Sequence, residues 1–342
     1  PAVRCAQPPY DTLPIPRADI PAGIILSRNG DEWISESAVE DISLPLYEGR
    51  MIDQFDFSAK GWVNGKGRTA VWREIGWADK RVEPQYLMSQ SDVSSSAKSN
   101  SGPKIAYMRI SSATNSRTTI STYLRSVPAG DSVFFFLPSR NPMRTAVVCS
   151  SVLSSLAFDV VLRQRLGGLN MSEFVMVEAP LPHGGTAAAE AVYDLALGLG
   201  LADRLFAPEG ISQRDRLCGP KAWRRQWSLT DARRLERRAA LDALVCLWYG
   251  VDDRGLVGML EDCARPSGSD TTILNTKGFW RVDKQKDPEL RHTVLTLAAF
   301  QDLEDKIQAV GGDRDKGIEA FLAQNDGEGW MLPETLRLAD YG

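Results

Sequence analysis

The period of hydrophobic and polar positions along the chain changes near residue 143. Before that point, short runs rich in β-branched and aromatic residues alternate with turn-forming residues, which is typical of β-strands. After it, apolar residues recur every three or four positions, which is typical of helices that pack on one face. The pattern therefore predicts a strand-rich first part and a helical second part.

Three segments before the change predict strands, at residues 104–112, 117–125 and 131–137. A Ser-rich stretch at 89–103 precedes them and predicts an exposed loop. A further strand is predicted at 172–182, where two prolines end the run SEFVMVEAPLP.

A single long, buried helix is predicted from about residue 143 to residue 166. Val148, Val152 and Leu156 lie four residues apart in it, and two glycines follow its last apolar turn. In residues 231–249 the apolar positions form another helical stripe, and Gly250 lies where the end of a helix favours glycine.

A later helix is predicted to begin with Asp287 as its N-cap and Pro288 at the first helical position. His292 lies on this predicted helix beside Arg291. Because both neighbours are polar, His292 is predicted to be exposed.

These elements predict an α+β fold with three parts. Residues 44–185 are expected to form a mixed, largely antiparallel sheet domain with one long packing helix, and residues 186–342 a mainly helical region. Residues 1–43 are Pro-rich and are predicted to be a linker from an upstream domain, since the chain begins with Pro rather than Met. The tryptophans and the three phenylalanines at 134–136 are assigned to the core.

Composition narrows the class of protein. Of the 342 residues, 43% are hydrophobic and 25% charged, a balance typical of globular domains. The sequence has neither the roughly 20-residue apolar run that spans a bilayer nor a basic-then-apolar leader, so a cytoplasmic protein without a membrane partner is predicted. The five cysteines lie far apart, which predicts free thiols, with Cys149 and Cys246 in the core, and no structural zinc site.

The charge is distributed unevenly along the chain. The whole sequence carries 40 − 44 = −4. Residues 44–170 contain 16 Lys and Arg against 9 Asp and Glu, giving +7, whereas residues 186–342 contain 21 against 26, giving −5. The first part is therefore the one expected to meet a polyanion.

No complete set of catalytic residues is found. The run QPPYD at 7–11 has Gln where amino-methyltransferases have Asn or Asp, and no Gly-rich cofactor loop precedes it. Glu304 and Lys306 form the E-x-K pair of metal-dependent nucleases, but they lie in a predicted helix with alternating charges. The chain by itself is expected not to be an enzyme and to hold no metal, and an independent nuclease is kept as one alternative.

With no catalytic set found, the feature of the sequence that still suggests a ligand is positive charge interleaved with aromatic residues. Residues 59–77 set Lys60, Lys66, Arg68 and Arg73 among three tryptophans. Cationic side chains neutralise phosphates, and the glycines of this run let backbone N–H groups approach them. A twisted hairpin with its tryptophans in the core and its cations in solvent is the alternative.

Two further segments carry Arg and Asn side chains of the kind that contact base edges or phosphates. A turn around residues 114–116 and a plain helix cap near residue 141 would explain the same residues without a ligand. The side chains are Arg109, Asn115 and Arg117 in the first segment, and Arg140, Asn141 and Arg144 in the second.

Read together, several blocks resemble one family. LPLYEGRMIDQFDF (44–57) is similar to the entry of the target-recognition domain of type IIG restriction–modification enzymes and BREX-type phage-defence enzymes, which are adenine-specific DNA methyltransferases. ATNSRTTISTYL (113–124) resembles their T-N-x-R-T block. The other similar blocks are 152–182, which ends in P-L-P, and 237–253 and 277–300, which resemble the helical C-terminal extension.

The resemblance covers roughly residues 42–335 and implies a specific parent protein. Members carry an upstream Rossmann-like domain that binds S-adenosylmethionine and methylates the exocyclic amine of adenine, and some also carry a nuclease domain. This sequence lacks the Gly-rich cofactor motif and a proper N-P-P-Y. The resemblance thus implies no cofactor in this chain and no catalytic residue, and S-adenosylmethionine in the parent.

The implied partners are double-stranded DNA, the upstream methyltransferase domain and other defence-system proteins. Lys and Arg would hold phosphates while Arg and Asn read base edges in the major groove, and the target adenine would be extruded into the distant catalytic pocket. The candidate backbone contacts are Arg50, Lys60, Lys66, Arg68, Arg73 and Arg144, and the candidate base readers are Arg109, Asn115, Arg117, Arg140 and Asn141.

Three more residues have two interpretations each. Gln54 would contact DNA or face solvent, and Arg163 and Arg165 would contact phosphate or simply favour the end of a helix. The competing function is a protein-interaction module with little affinity for DNA. An exposed apolar patch on residues 186–342 would favour that alternative.

Overall fold

The computed structural model describes residues 2–5, 24–26, 33–35, 39–95, 102–217, 226–262, 283, 285–287 and 290–330. The QPPYD run at 7–11 lies outside the described residues. The fold is α+β, which confirms the prediction: small sheets occupy the first part and helices occupy most of the second.

The described strands are short, and the last three of them lie within the three predicted β-branched and aromatic runs. They are β1 (Ala2–Cys5), β2 (Ile24–Leu26), β3 (Trp33–Ser35), β4 (Val39–Leu46), β5 (Lys60–Asn64), β6 (Val71–Glu74), β7 (Tyr86–Ser89), β8 (Lys104–Met108), β9 (Ser121–Leu124) and β10 (Val133–Phe136).

Two sheets have three strands each. In the first, β4 is central, pairing in parallel with β1 and antiparallel with β7. In the second, β8 pairs antiparallel with both β10 and β9. The expected linker of residues 1–43 therefore contributes backbone to a sheet, and its predicted boundary falls inside β4.

The helices are longer and lie mostly after residue 140. They are α1 (Gln90–Ser95), α2 (Pro142–Leu153), α3 (Leu156–Arg165), α4 (Glu173–Val177), α5 (Thr186–Gly200), α6 (Ala207–Ser212), α7 (Arg214–Leu217), α8 (Asp231–Trp248), α9 (Asp253–Asp262), α10 (His292–Ala309), α11 (Arg314–Leu322) and α12 (Gln324–Gly327).

The predicted single long helix is in fact two helices, α2 and α3, whose axes differ by 66°. The break lies at two serines. Ser154 donates its hydroxyl to the carbonyl of Ser121 at 2.8 Å, and Ser155 accepts from the N–H of Phe158 as the N-cap of α3. Asp242 accepts the next N–H, that of Leu156, at 2.7 Å. Hydrogen bonds made by these side chains therefore end α2 and start α3, although the apolar spacing of the sequence continues across the break.

The strand predicted at 172–182 is wrong, because this segment forms α4. Ser172 caps the helix by accepting from the N–H of Val175. Met176 is buried, whereas Phe174 and Val177 are exposed. Of these three apolar side chains only one is therefore buried, as on one face of a helix.

The predicted start of the last long helix is also wrong. Helix α10 begins at His292, and Asp283 rather than Asp287 accepts its first N–H, at 2.7 Å. Pro288 lies outside the described residues. Helix α8 agrees with the prediction, and Gly250 follows it with a φ of +76°.

One hydrophobic core joins the sheet region to the helical region. Helix α2 packs on β8, β9 and α5, and α8 packs on α5 and α10. Leu244 and Cys246 of α8 are fully buried in this core, while Cys149 is half-buried. Phe134–136, Trp72 and Trp77 are half-buried against it.

No single helix of the described residues is both long and apolar enough to cross a membrane. Helices α2 and α3 reach that length and apolarity only when counted together across their bend. Their side chains are largely buried in the core.

Candidate nucleic-acid interface

Strands β5 and β6 form a hairpin, called here the basic hairpin (residues 60–74). Trp62 lies directly opposite Trp72, and Trp72 packs against the core. Because successive side chains of a strand point to opposite faces, Val71 points away from Trp72, whereas Val63 lies at an irregularity of the pairing between Trp62 and Asn64. Both valines are exposed.

The turn of the hairpin is held in one shape. Gly65 has a φ of +78°, and a Cβ atom there would lie 2.4 Å from the carbonyl oxygen of Thr69, so only glycine fits. The carbonyl of Gly65 accepts from Trp62 Nε1 at 3.0 Å and from Gln85 Nε2 at 3.2 Å. The N–H and hydroxyl of Thr69 both donate to the carbonyl of Lys66. These bonds order the tip.

The cations of the hairpin fall into two groups. Lys66 and Arg68, at the tip, are exposed, and within the described part of the chain neither forms an ion pair. Nearer the base, Lys60 lies 4.0 Å from Glu74, and Arg73 pairs with Glu83 at 2.6 Å. Residues 60–74 hold four cations and one carboxylate, so the net charge is 4 − 1 = +3.

The base of the hairpin is anchored by buried polar contacts. The ammonium of Lys80 donates to Asp56 at 2.8 Å and to the carbonyls of Ser58 and Ile75 at 3.0 and 2.8 Å. Lys80 also lies over the ring of Trp77, at 4.4 Å from its centroid. The hairpin therefore projects from a fixed platform.

A second anchor reaches the platform from the helical region. Arg234 of α8 stacks on Trp77 at 3.9 Å and donates to the carbonyl of Phe55 at 3.2 Å. Arg50 lies at the same base, in the 3-10 turn Gly49–Met51, whose last carbonyl accepts from the N–H of Ala59. Its side chain is exposed.

Three other candidates lie at the surface on loops. Arg140 and Asn141 precede α2, where Asn141 has a φ of +42°, a conformation that Asn tolerates. Asn115 is exposed on the loop between β8 and β9. These side chains are accessible, although nothing in their contacts ties them to the basic hairpin.

Two candidates are engaged within the protein. Arg109 pairs with Asp131 and lies 5.1 Å from the ring centroid of Phe134. Arg144 pairs with Glu190 of α5. Exposed ion pairs of this kind contribute only about 0–1 kcal/mol, so both arginines can exchange their partner for a phosphate at low cost.

The expectation that Arg117 reads a base conflicts with its location. Arg117 is only 6% exposed, and its Nη2 lies 2.7 Å from Nδ1 of His292. Burial lowers the pKa of its guanidinium to about 10. His292, predicted to be exposed, is itself buried. A DNA base cannot reach Arg117 in this fold.

Arg117 belongs to a cluster that we call the buried polar seam, defined by Gln54, Arg117, Asp159, Asp242 and His292. Asp159 of α3 accepts from the N–H groups of Thr118 and Thr119, at 2.6 and 2.8 Å. Its second oxygen accepts from Arg163 Nε at 2.6 Å. The carboxylate thereby fixes the T-N-x-R-T block onto α3.

Arg163 holds the neighbouring loop instead of facing solvent. Its guanidinium donates to the carbonyls of Ala113, Asn115 and Ser116. Of the two arginines of α3 considered for phosphate contact, only Arg165 is exposed, 4.0 Å from Glu178.

The centre of the seam joins α8 to α10. Oδ2 of Asp242 lies 3.0 Å from Nε2 of His292, while Arg117 approaches the other ring nitrogen. Because a guanidinium can only donate, that nitrogen must be unprotonated for the contact to form. Burial is the largest influence on His292 and lowers the pKa of its imidazole.

Gln54 completes the seam. Its amide donates to the carbonyls of Thr119 and Ser154 at 3.0 and 2.9 Å and accepts from Arg238 at 2.7 Å. It faces neither solvent nor an accessible groove. Asp159 and Asp242 were not identified from the sequence. Each carboxylate lies inside an apolar run, LAFDVVL and AALDALV, and this position indicates a buried side chain that needs a polar partner.

Exposed apolar side chains are not concentrated where the protein-interaction alternative expected them. Among the described residues of 186–342, the large exposed apolar side chains are Ile211 and Leu229. Phe174 and Val177 of α4, exposed by 71% and 67%, lie outside that region, within residues 44–185.

The described residues provide no metal-binding site of the kind that the nuclease alternative requires. Glu304 has a raised pKa, caused first by burial and then by the nearby carboxylates of Asp253 and Asp252. Lys306 lies 3.8 Å from Asp302 on the same helix. No three His, Cys, Asp or Glu side chains converge on one point in this part of the chain.

Comparison with known protein families, curated proteins and solved structures finds no match for this chain. The family resemblance of the sequence blocks stays an expectation.

Proposed function

We propose that this chain is the DNA sequence-recognition module of an adenine-specific DNA methyltransferase or of a related restriction–modification or phage-defence enzyme of the cytoplasm. It would position duplex DNA for a separate catalytic domain, which would bind S-adenosylmethionine. The observation that carries the proposal is the basic hairpin, whose ordered turn presents two exposed cations that form no ion pair with any described residue.

The chemistry of the tip fits a polyanion with a regular surface. Lys66 and Arg68 spend no energy on breaking an ion pair when they meet a phosphate, in contrast to Arg73. The fixed turn also limits the conformational entropy lost on binding. Phosphate contacts of this kind set the register of a protein on a duplex.

The proposed contact set is smaller than the one expected from the sequence. Lys66 and Arg68 form its centre, with Arg50 and Lys60 toward the base of the hairpin. Arg140, Asn141 and Asn115 are accessible candidates for base contacts, and Arg73, Arg109 and Arg144 would join by partner exchange. Arg117 is not part of the set.

The anchors of the hairpin support a positioning role. Arg234 and the buried polar seam connect the first part of the chain to α8 and α10, so the orientation of the hairpin relative to the helical region is fixed. The helical region would in turn dock the catalytic domain or other defence-system proteins.

Fluorescence anisotropy with a labelled random-sequence duplex tests the proposal over a salt series. The double variant Lys66→Ala/Arg68→Ala removes the two tip cations. We expect the slope of log K against log salt to lose about 2 and the Kd at about 50 mM salt to rise by roughly tenfold or more, because each lost phosphate contact releases one counterion fewer.

A matched control removes the same charge elsewhere. Arg314→Ala/Lys316→Ala alters two exposed cations of α11, a helix that packs on α10 and α5 and not on the hairpin. Its affinity for DNA should equal that of the native protein within about twofold. Equal losses in both variants, or no binding by folded native protein at low salt, would favour the protein-interaction alternative.

A further inference from the structure

The outward face of the basic hairpin is apolar next to its cationic tip. Val71, next to Trp72 in β6, faces away from the paired tryptophans and is 50% exposed, and Val63, at the irregularity of β5 next to the Asn64–Val71 pair, is 45% exposed. Lys66 and Arg68 follow within a few residues. A ligand for this face must be anionic and must also offer small apolar groups.

Among the described residues, no unpaired carboxylate opposes such a ligand on this face. Glu74 is paired across the hairpin with Lys60, which places its side chain on the tryptophan face. Glu83 lies over Gly61 on the outward face, but Arg73 and Arg81 hold it at 2.6 and 2.5 Å. The described residues around the valines therefore present net positive charge.

The major groove of DNA combines the two required features. Its walls are phosphates, and each thymine presents a C5-methyl group on its floor. The groove is about 12 Å wide and admits a two-stranded ribbon, whereas the minor groove, about 6 Å wide, is too narrow for one.

We propose that the tip of the basic hairpin enters the major groove, where Lys66 and Arg68 contact phosphates and Val63 and Val71 pack against thymine methyl groups. The inference rests on the proposed DNA-recognition function and adds the element that enters the groove and the base feature that it contacts. The ordered turn supports it, because Trp62 and Gln85 hold the carbonyl of Gly65 and keep the tip from folding back.

The test compares two duplexes that differ only in this methyl group. One probe is a 24-base-pair duplex of alternating adenine and thymine, and the other has uracil at every thymine position. The native protein should bind the thymine duplex about fourfold more tightly for each methyl group that it buries, which is the factor expected for one buried methylene-sized group. The preference should persist when salt is raised, because it is not electrostatic.

Two variants assign that preference to the valines. Val63→Ser/Val71→Ser should bind the thymine and uracil duplexes equally, with an unchanged salt slope. Lys66→Ala/Arg68→Ala should bind both duplexes more weakly but keep the ratio between them. Circular dichroism confirms that each variant is folded, which we expect because all four side chains are exposed.

The outcomes separate this inference from the proposed function. Salt-dependent binding with equal affinity for both duplexes overturns the methyl contact and leaves the DNA-recognition function standing. A preference for thymine that the serine variant retains also overturns the assignment to the valines. Failure of the native protein to bind either duplex overturns both proposals.

Discussion

The buried polar seam and the basic hairpin use the same kinds of side chain in opposite ways. In the seam, Arg117 contacts an imidazole, and Arg163, next to the seam, is held by the carboxylate of Asp159 and by backbone carbonyls. At the hairpin tip, Lys66 and Arg68 face solvent, and no described carboxylate pairs with them. The role of a cation therefore follows from its surroundings and not from the density of positive charge in the sequence.

The difference originates in two acidic residues of apolar helices. Asp159 and Asp242 face the core, where an unpaired carboxylate would cost several kcal/mol. Arg163, the N–H groups of Thr118 and Thr119, and His292 supply the partners. Near the tip of the hairpin no described buried carboxylate needs a partner, so Lys66 and Arg68 stay accessible to a ligand.

The largest expected effect comes from removing a carboxylate of the seam. Asp159→Ala leaves Arg163 and two buried N–H groups without their partner, so the free energy of unfolding in urea should fall by about 3–5 kcal/mol. Asp315→Ala, on the exposed first turn of α11, is the control and should change it by less than about 1 kcal/mol. A loss below about 1 kcal/mol for Asp159→Ala would mean that the seam is not structural.

A smaller loss is expected when the buried cation is replaced by an apolar chain. Arg117→Met should lower the free energy of unfolding by about 2 kcal/mol, because Met fills the space but leaves His292 and the nearby carboxylates with fewer partners. The same replacement at exposed Arg314 should be neutral within about 0.5 kcal/mol. Undiminished stability of Arg117→Met would place Arg117 outside the seam.

Acid should weaken the seam through His292. Burial lowers the pKa of its imidazole, so the folded state keeps it neutral while the unfolded chain takes up a proton near its ordinary pKa of about 6.5. Its contribution is therefore complete above about pH 6.5 and declines as the pH falls below that value, by at most about 1.4 kcal/mol per pH unit.

His292→Gln isolates this effect. Urea unfolding between about pH 5 and 7 should depend less on pH in the variant than in the native protein. Buried carboxylates such as Glu236, whose pKa is raised by burial, act in the opposite direction and are present in both proteins. Identical pH profiles would show that folding does not lower the pKa of His292.

The smallest expected effect on stability belongs to the hairpin tip. Lys66→Ala/Arg68→Ala should change the free energy of unfolding by less than about 0.5 kcal/mol, because neither side chain is buried or paired with a carboxylate of the described residues. A loss of several kcal/mol in urea unfolding would mean that the tip cations stabilise the fold.

The sequence predicted the local features of the molecule better than the distant ones. Strands β8, β9 and β10 and helix α8 follow from patterns within about 20 residues, and so does the run of cations at the hairpin. The break between α2 and α3 was missed because it depends on Ser121 and Asp242, which lie far away along the chain. Periodicity alone carries no information about such partners.

The same limit explains the error at Arg117. Its partner His292 is 175 positions away, and nothing in the T-N-x-R-T block distinguishes a base contact from a buried one. The exposure of Lys66 and Arg68 was predictable, because glycines surround them and no apolar stripe passes through them. Local sequence indicates where a turn projects, whereas only the assembled core shows which polar residues it encloses.

The most direct test measures unfolding free energy and DNA affinity on the same two variants in one buffer. Lys66→Ala/Arg68→Ala should lose DNA affinity by roughly tenfold or more with unchanged stability, and Arg117→Met should lose about 2 kcal/mol of stability while its folded form binds DNA like the native protein. The opposite result, with a stable Arg117→Met that no longer binds DNA and a hairpin variant that still does, would contradict the division between a structural seam and a DNA-binding hairpin.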